Sequence, residues 1–126
     1  MIKNQLVYFY PPKDVLKKDL LNDIYKLNQS NIPALGSLDN LNHLSNLISC
    51  SLFCVCSFND KTLNSFALVM DNNSSYQSVN YKYFKNKFSS FIYLDRIAVA
   101  ENFQRMGIGS LIYNDVFELS KKNNYP

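Results

Sequence analysis

Gly107 and Gly109, preceded by Gln104 and Arg105, form the part of this chain whose residue types and spacing suggest chemistry. The chain holds three glycines in 126 residues, where average usage of about 7% predicts roughly nine. These two lie between a strand-like and a helix-like run, and a helix start carries unpaired N–H groups and the positive end of its dipole. Glycine removes the Cβ atoms that would hold a ligand's oxygens away from those groups, and Arg105 adds a cation. The segment therefore predicts an anion site, with phosphate as the usual ligand.

Three phosphate-binding motifs combine a strand, a short turn and a helix. A Walker A loop needs Gly-x-x-x-x-Gly-Lys-Ser/Thr, and this chain has neither that spacing nor the lysine, which excludes the motif. A dinucleotide fingerprint needs a third glycine where this chain has Ile112, and a ribose-binding acid about 20 residues further on, where the sequence has ended. The pattern that remains is Gln/Arg-x-x-Gly-x-Gly/Ala, directly after a strand that ends in Ile-Ala-Val.

The run from Tyr93 to Tyr113, which contains that pattern, resembles the acetyl-CoA motif of the GNAT acetyltransferases. Tyr81-x-x-Phe84 with the later Tyr93–Arg96 is more loosely similar to a poorly characterised bacterial branch of predicted acetyltransferases. The resemblance implies an N-acetyltransferase that moves an acetyl or other acyl group from acetyl-CoA to a small-molecule or peptide amine. It also implies that the backbone of Ile97, Ala98 and Val99 pairs with the pantetheine arm. The N–H groups around the pyrophosphate would be those of Gln104, Arg105, Met106, Gly107, Ile108, Gly109 and Ser110.

Asp95 and Tyr93 are the candidate catalytic residues. The resemblance implies direct attack of the amine on the thioester carbonyl, which needs a base for the ammonium proton but no covalent enzyme intermediate. Asp95 is the acid nearest the expected thioester position, two residues before Ile97, and Tyr93 is the other polar group on the strand. Two alternatives stay open for Asp95, a structural partner of Arg96 and a capping acceptor. A β-bulge typical of the family near this position also leaves open which face Asp95 takes.

Three amphipathic segments predict the helices that would position this site. From Lys13 to Gln29, after Pro11-Pro12, apolar residues recur at spacings of three to five, which predicts the first helix. A second helix, capped by Ser37 or Asp39, includes His43 as a surface residue and carries Leu41, Leu44, Leu47 and Ile48. The last helix starts at Gly107 and carries Leu111, Ile112, Asp115, Val116 and Leu119.

The β-rich runs predict the strands. Gln5–Phe9 is at best a short strand, and Leu52–Ser57 and Thr62–Met70 form a hairpin in which Cys54 and Cys56 act as small apolar residues. The aromatic and lysine-rich segment Tyr81–Phe88 is a short helix or an ordered loop whose rings cover the sheet. Phe91–Ala100 is apolar at both alternate sets of positions, which predicts a strand buried on both faces.

The fold class implied by these elements and by the resemblance is α/β (α+β). It is a GNAT-like, mainly antiparallel sheet flanked by helices, in the order strand, two helices, three strands and a helix. Residues 1–126 then form a single GNAT domain that lacks the family's C-terminal strands and helix. We therefore expect the edge of the Phe91–Ala100 strand to be exposed, a contact for homo-oligomers. The alternative function is a non-catalytic or partner-dependent CoA-binding module.

Composition excludes several other classes. No run approaches the roughly 18 to 20 apolar residues of a membrane span, and the N-terminus opens no secretory signal, so a cytoplasmic protein is expected. Thirteen basic residues, two of them arginine, against ten acidic ones are too weak a bias for nucleic-acid binding. A base-stacking surface at Tyr81–Phe88 is the minor alternative. Three clustered cysteines and one histidine lack the spacing of a disulfide framework or a zinc site, so no metal is expected.

Overall fold

Four antiparallel strands form one sheet with helices on both faces. The structure, a computed structural model, describes residues 4–11, 13–30, 38–76, 78–101 and 107–122. The elements are β1 (Asn4–Phe9), α1 (Lys18–Gln29), α2 (Leu41–Ser49), β2 (Phe53–Asn59), β3 (Thr62–Asp71), α3 (Val79–Lys87), β4 (Ile92–Val99) and α4 (Ile108–Lys122). The strands lie side by side in chain order, which confirms the predicted fold class. The Tyr81–Phe88 segment takes its helical alternative as α3. Among the described helices, none combines the length and apolarity that a membrane crossing requires.

The sheet has two apolar faces because side chains alternate along each strand. One, which we call the α1 face, packs against α1, α2 and α3 and carries Cys54, Cys56, Phe66, Leu68 and Met70. The other, the α4 face, packs against α4 and carries Phe53, Val55, Ala67 and Val69. The prediction that Cys54 and Cys56 are small apolar strand residues is confirmed, since both are fully buried. The predicted hairpin is also present, with Asp60 in its turn at φ 56°.

Helix α1 begins at Lys18, and the prediction of a start at Lys13 was wrong. The Asp14 N–H donates to the Tyr10 carbonyl at 2.9 Å, and the Asp14 carboxylate accepts from the Tyr10 N–H at 3.0 Å. These two bonds close a separate turn before the helix, which leaves Val15 82% exposed.

Helix α2 is capped by Asn40, not by Asp39. The Asn40 Oδ1 accepts a hydrogen bond from the His43 N–H at 2.9 Å, whereas the Asp39 N–H donates to His43 Nδ1 at 3.1 Å. Ser37, the other predicted cap, lies outside the described residues. The His43 side chain is 44% exposed, which confirms it as a surface residue.

A one-residue bulge at Asp95 interrupts the pairing of β3 with β4. Arg96 pairs with Leu68 and Leu94 with the next residue, Val69, so Asp95 is extra in β4. Ile92 and Leu94 before the bulge and Ile97 and Val99 after it all pack on the α4 face.

The prediction that β4 is buried on both faces was wrong, and the bulge explains the pattern that suggested it. Both alternate sets of positions are apolar because the α4-facing positions change from even to odd numbers at Asp95. Of the strand's eight residues only Ala98 is buried when backbone and side chain are taken together, since no described strand pairs with the outer edge of β4. On the neighbouring surface of α4, Tyr113 and Phe117 are 56% and 52% exposed. Leu111, elsewhere on this helix, is 43% exposed.

A buried hydroxyl gives a first stability prediction. Ser57 of β2 is fully buried, and its Oγ has no hydrogen-bond partner within the described part of the chain. We expect Ser57→Ala to raise the free energy of unfolding, measured in urea, by about 1 kcal/mol, because an unsatisfied buried polar atom is removed.

Ser65→Ala is the matched control for this substitution. Ser65 lies opposite Ser57 in the hairpin, and its Oγ donates to Asn64 Oδ1 at 3.2 Å. This variant should lose stability. A comparable loss in Ser57→Ala would show that the Ser57 hydroxyl has a partner such as a buried water.

Candidate functional site

A groove of about 300 Å³ lies between the second half of β4 and the first turns of α4. Its lining residues are Ile97, Val99, Gly109, Ser110, Tyr113 and Asn114. Four of the residues predicted to bind the cosubstrate therefore meet in one cavity, Ile97 and Val99 from the strand and Gly109 and Ser110 from the helix. Ala98 does not, because its side chain is buried on the α1 face.

The backbone of β4 points in alternate directions along the strand. The Ala100 N–H donates to the Asn64 carbonyl at 2.7 Å, and Ala98 pairs with Phe66 of β3. In an antiparallel pair, every second residue directs its N–H and C=O groups at the neighbouring strand. The backbone groups of Ile97 therefore point to the outer edge of β4, in the same direction as those of Val99, whereas those of Ala98 point to β3.

Gly107 and Gly109 differ in what they contribute to the start of α4. Gly107 has a φ of +78°, in the left-handed region, and a Cβ there would meet no atom within 4 Å, so conformation and not crowding requires glycine. A Cβ on Gly109 would lie 3.8 Å from Val99 Cγ2, an ordinary contact. The Leu111 N–H donates to the Gly107 carbonyl at 2.9 Å.

The bond from the Leu111 N–H to the Gly107 carbonyl is the first of helix α4. The N–H groups of Ile108, Gly109 and Ser110 therefore precede the helical hydrogen bonding. Ile108 contributes only its backbone to such a site, because its side chain is buried on the α4 face. The remaining three predicted cradle residues, Gln104, Arg105 and Met106, lie outside the described residues.

Asp95 and Arg96 form a buried ion pair at the bulge. The Arg96 Nε donates to Asp95 Oδ2 at 2.9 Å, and the two side chains are 10% and 5% exposed, Arg96 first. Arg96 Nη1 also donates to Oδ1 of Asn28, a fully buried residue of α1, at 3.0 Å. Of the alternatives that the sequence left open, the structure shows the contact with Arg96. It places Asp95 and Ile97 on opposite faces of the sheet.

Tyr76, in the segment between β3 and α3, is the residue near this pair that the sequence analysis missed. Burial raises the pKa of its hydroxyl to about 12, and the hydrogen bond to the Asp95 carboxylate adds to the rise. The Arg96 guanidinium acts in the opposite direction. No periodic pattern surrounds Tyr76, so sequence alone carried no signal for this contact.

The raised pKa of Tyr76 predicts how stability changes at high pH. A tyrosine with a folded-state pKa of about 12, against the usual 10.0, is held neutral by the fold. Its contribution to stability is therefore fully present below pH 10 and is lost as the pH rises towards 12. We expect the free energy of unfolding to fall less steeply over this range in Tyr76→Phe than in the wild type, measured by urea denaturation.

Tyr83→Phe is the control for the alkaline series, because the Tyr83 ring is 57% exposed on α3. The change in slope caused by Tyr76→Phe is expected to exceed any change in this variant. The assignment is refuted if Tyr76→Phe and the wild type show the same slope.

Tyr93, the second candidate catalytic residue, lies on the α1 face in a cluster of rings. Its ring centroid is 5.8 Å from that of Tyr81 and 5.8 Å from that of Phe84. The structure therefore brings Tyr93 and Asp95 to the α1 face, while the groove with Ile97 and Gly109 opens on the α4 side of the strand.

The two neighbouring free cysteines of β2, Cys54 and Cys56, are poorly suited to nucleophilic chemistry. Cys54 Sγ and Cys56 Sγ are 3.9 Å apart, and this hydrogen bond, followed by burial, raises the pKa of the Cys54 thiol. Within the described ranges, no three histidine, cysteine or acidic side chains converge into a group that could hold a metal ion.

Comparison with solved structures identifies the fold. An aminoglycoside N-acetyltransferase in complex with CoA is 13% identical, with a TM-score of 0.64 over 99% of this chain and 74% of that one. A GNAT family acetyltransferase of Staphylococcus aureus is 16% identical, with a TM-score of 0.64 over 99% and 82%. An aminoglycoside acetyltransferase from an uncultured soil metagenomic sample, in complex with sisomicin, is 13% identical, with a TM-score of 0.62 over 98% and 73%.

The fold is thus one that acetyltransferases use. In particular, it is the GNAT fold, as the Tyr93–Tyr113 run predicted. No protein-family model and no curated protein matches the sequence.

Proposed function

We propose that this chain is an N-acyltransferase that binds acetyl-CoA in the groove between β4 and α4 and transfers the acetyl group to an amine. The observation that carries the proposal is the meeting of two backbone features in that groove. The edge-facing groups of Ile97 pair with pantetheine as another strand would, and the first turn of α4 binds the pyrophosphate. Gln104, Arg105 and Met106 complete the cradle in this proposal. A neighbour of the same fold that holds CoA supports the choice of cosubstrate.

The proposed reaction is direct attack of the amine nitrogen on the thioester carbonyl. The C–N bond forms, the C–S bond breaks, the amine loses a proton and the CoA thiolate takes one up. A backbone N–H of the strand polarises the carbonyl oxygen. Asp95 acts as the base and Tyr93 as a polar group beside it. Because the Asp95 side chain is 5% exposed, the proton reaches it through a water or through the Tyr76 hydroxyl.

Two measurements on the full chain test this function. Calorimetry measures acetyl-CoA binding, and a thiol-release assay measures turnover on a panel of amines. Asp95→Asn should keep the affinity for acetyl-CoA and lower kcat by about 100-fold, the usual contribution of a positioned base. Asp39→Asn, at an exposed carboxylate beside His43, should change neither. Binding without turnover in the wild type would contradict the enzyme proposal.

A second candidate function is a CoA-binding module that needs a partner for activity. It is favoured by a cavity of about 380 Å³ beside the unpaired edge of β4, whose lining includes Ile92, Leu94, Tyr113 and Phe117. In this candidate another copy of the chain, or a different chain, pairs with β4 through that edge. Light scattering measures the fraction of dimer across a concentration series, and the thiol-release assay measures specific activity in the same samples. Specific activity would rise with the fraction of dimer only for the second candidate.

We place either activity in the cytoplasm and treat residues 1–126 as one GNAT domain. The free thiols of Cys50, Cys54 and Cys56 support a reducing compartment.

A further inference from the structure

The two faces of β4 offer different surroundings at the bulge. On the α4 side lies the groove of Ile97, Gly109 and Ser110, which is the site proposed for acetyl-CoA. On the α1 face lie the Asp95–Arg96 pair and the rings that pack around Tyr93. Because the cosubstrate fills the groove in this proposal and Asp95 lies on the α1 face, we take the acceptor amine to approach the thioester carbonyl from the α1 face. The inference that follows therefore rests on the proposed function.

The carboxylates near this approach are already engaged. Between positions 71 and 96 the sequence has two acidic residues, Asp71 and Asp95. Asp71 Oδ1 accepts the Asn73 N–H at 3.0 Å, and Asp95 is paired with Arg96 and almost fully buried. A polycationic acceptor needs unpaired carboxylates, because each ammonium group loses hydration when it binds. This part of the α1 face does not offer them.

Basic side chains lie on α3, which packs on the same face of the sheet. Helix α3 contains Lys82, Lys85 and Lys87 and no acidic residue. The Lys85 ammonium donates to the Ser74 carbonyl at 3.2 Å, and that of Lys87 to the Tyr83 hydroxyl at 3.0 Å. An ammonium group has three donors, so each keeps hydrogens for a ligand carboxylate while these bonds hold it in place.

A cluster of rings extends from Lys85 of α3, whose ammonium lies 5.9 Å from the centroid of the Tyr81 ring, to Tyr93 of β4. Neighbouring centroids among Tyr76, Tyr81, Phe84, Phe91 and Tyr93 are 5.6 to 6.4 Å apart. Tyr81 and Phe91 are buried, whereas Phe84 at the rim is 38% exposed. An exposed ring beside fixed ammonium groups suits a ligand that is aromatic and negatively charged.

We propose that the acceptor is a primary amine that also carries an aromatic ring and a carboxylate, as an aromatic amino acid does. Its ring packs on Phe84, Lys85 and Lys87 bind its carboxylate, and its amine faces the bulge at Asp95. An aminoglycoside would meet excess positive charge along residues 71–96, where four basic residues accompany the two engaged acids.

Equilibrium binding to the full chain tests the acceptor class without turnover. Calorimetry with saturating CoA, which has no acetyl group to transfer, compares L-phenylalanine with phenethylamine, L-alanine and sisomicin. L-Phenylalanine should bind at least about tenfold more tightly than each of the others, because only it offers both groups. The inference is overturned if sisomicin binds as tightly, if the amines are not distinguished, or if L-phenylalanine does not bind.

A separate titration with CoA alone measures cosubstrate binding and so tests the proposed function independently of the acceptor. If CoA fails to bind, the proposed function fails, and the four amines are then compared without CoA, where the same ranking is expected. If the chain acetylates sisomicin more efficiently than L-phenylalanine, the acceptor inference fails while the proposed function stands.

Substitutions on α3 separate the two recognition elements. Phe84→Ala should weaken L-phenylalanine and phenethylamine by about tenfold and leave L-alanine unchanged. Lys85→Gln with Lys87→Gln should weaken L-phenylalanine and L-alanine and leave phenethylamine unchanged. Lys13→Gln with Lys61→Gln, at two exposed lysines outside α3, is the charge-matched control and should change none of them. An equal loss for all probes in Phe84→Ala would refute ring recognition by Phe84.

Discussion

Valine in place of Gly107 is expected to weaken acetyl-CoA binding by at least about 100-fold, which corresponds to about 2.7 kcal/mol. Gly107 holds a φ of +78°, which a β-branched residue adopts only at a substantial cost. The first turn of α4 would therefore rearrange, and the N–H groups of Ile108, Gly109 and Ser110 would no longer point at one anion. Calorimetric titration with acetyl-CoA measures the effect.

Two milder substitutions separate conformation from crowding at the same turn. Gly107→Asn should keep the turn, because asparagine tolerates the left-handed region, and should be more stable to urea than Gly107→Val. Gly109→Ala should not lose stability, since its Cβ would lie 3.8 Å from Val99 Cγ2 and alanine favours a helix by up to about 1 kcal/mol over glycine. An undiminished affinity in Gly107→Val would refute the pyrophosphate cradle.

Removing the positive charge from the buried pair should be the most destabilising single change among those considered. We expect Arg96→Met to lower the free energy of unfolding by about 3 to 5 kcal/mol, because the Asp95 carboxylate is left buried without its cation. Native domains have only about 5 to 15 kcal/mol in total. Asn28 on α1 would lose the donor that binds its Oδ1 at 3.0 Å. Urea denaturation at pH 7 measures the loss.

A double-mutant cycle identifies the cause of this loss. Asp95→Asn with Arg96→Met should recover part of the stability lost in Arg96→Met, because no uncompensated charge remains. Asp39→Asn, at the exposed contact with His43 Nδ1 at 3.7 Å, should change stability by less than about 1 kcal/mol. If the double variant is as unstable as Arg96→Met, the two charges are not coupled.

The sequence carried enough information for the strand, turn and helix around Gly107, because glycine spacing and helical periodicity are local signals. The hairpin of β2 and β3 and the burial of Cys54 and Cys56 followed from the same kind of local pattern. The start of α1 was wrong because Asp14 bonds back to Tyr10 and closes a turn that periodicity does not register.

The surroundings of Asp95 could not be predicted, because they depend on contacts between distant segments. Asn28 is 68 positions from Arg96, and Tyr76 reaches Asp95 from a polar connection with no periodic pattern. The burial of β4 was wrong for a related reason, since alternation along one strand does not reveal an extra residue in its pairing with the next.

Because of the bulge, β4 has one residue more than its pairing with β3 requires, so the length of the strand does not determine its register. In a regular strand neighbouring side chains point to opposite faces, so Asp95 and Arg96 form an ion pair only because Asp95 is the unpaired residue. Arg96, Ala98 and Val99 keep their own partners on β3 whether or not position 95 is occupied. Deleting Asp95 would therefore remove the proposed base and leave Arg96 buried without its carboxylate, while Ile97 would still lie at the edge of the groove.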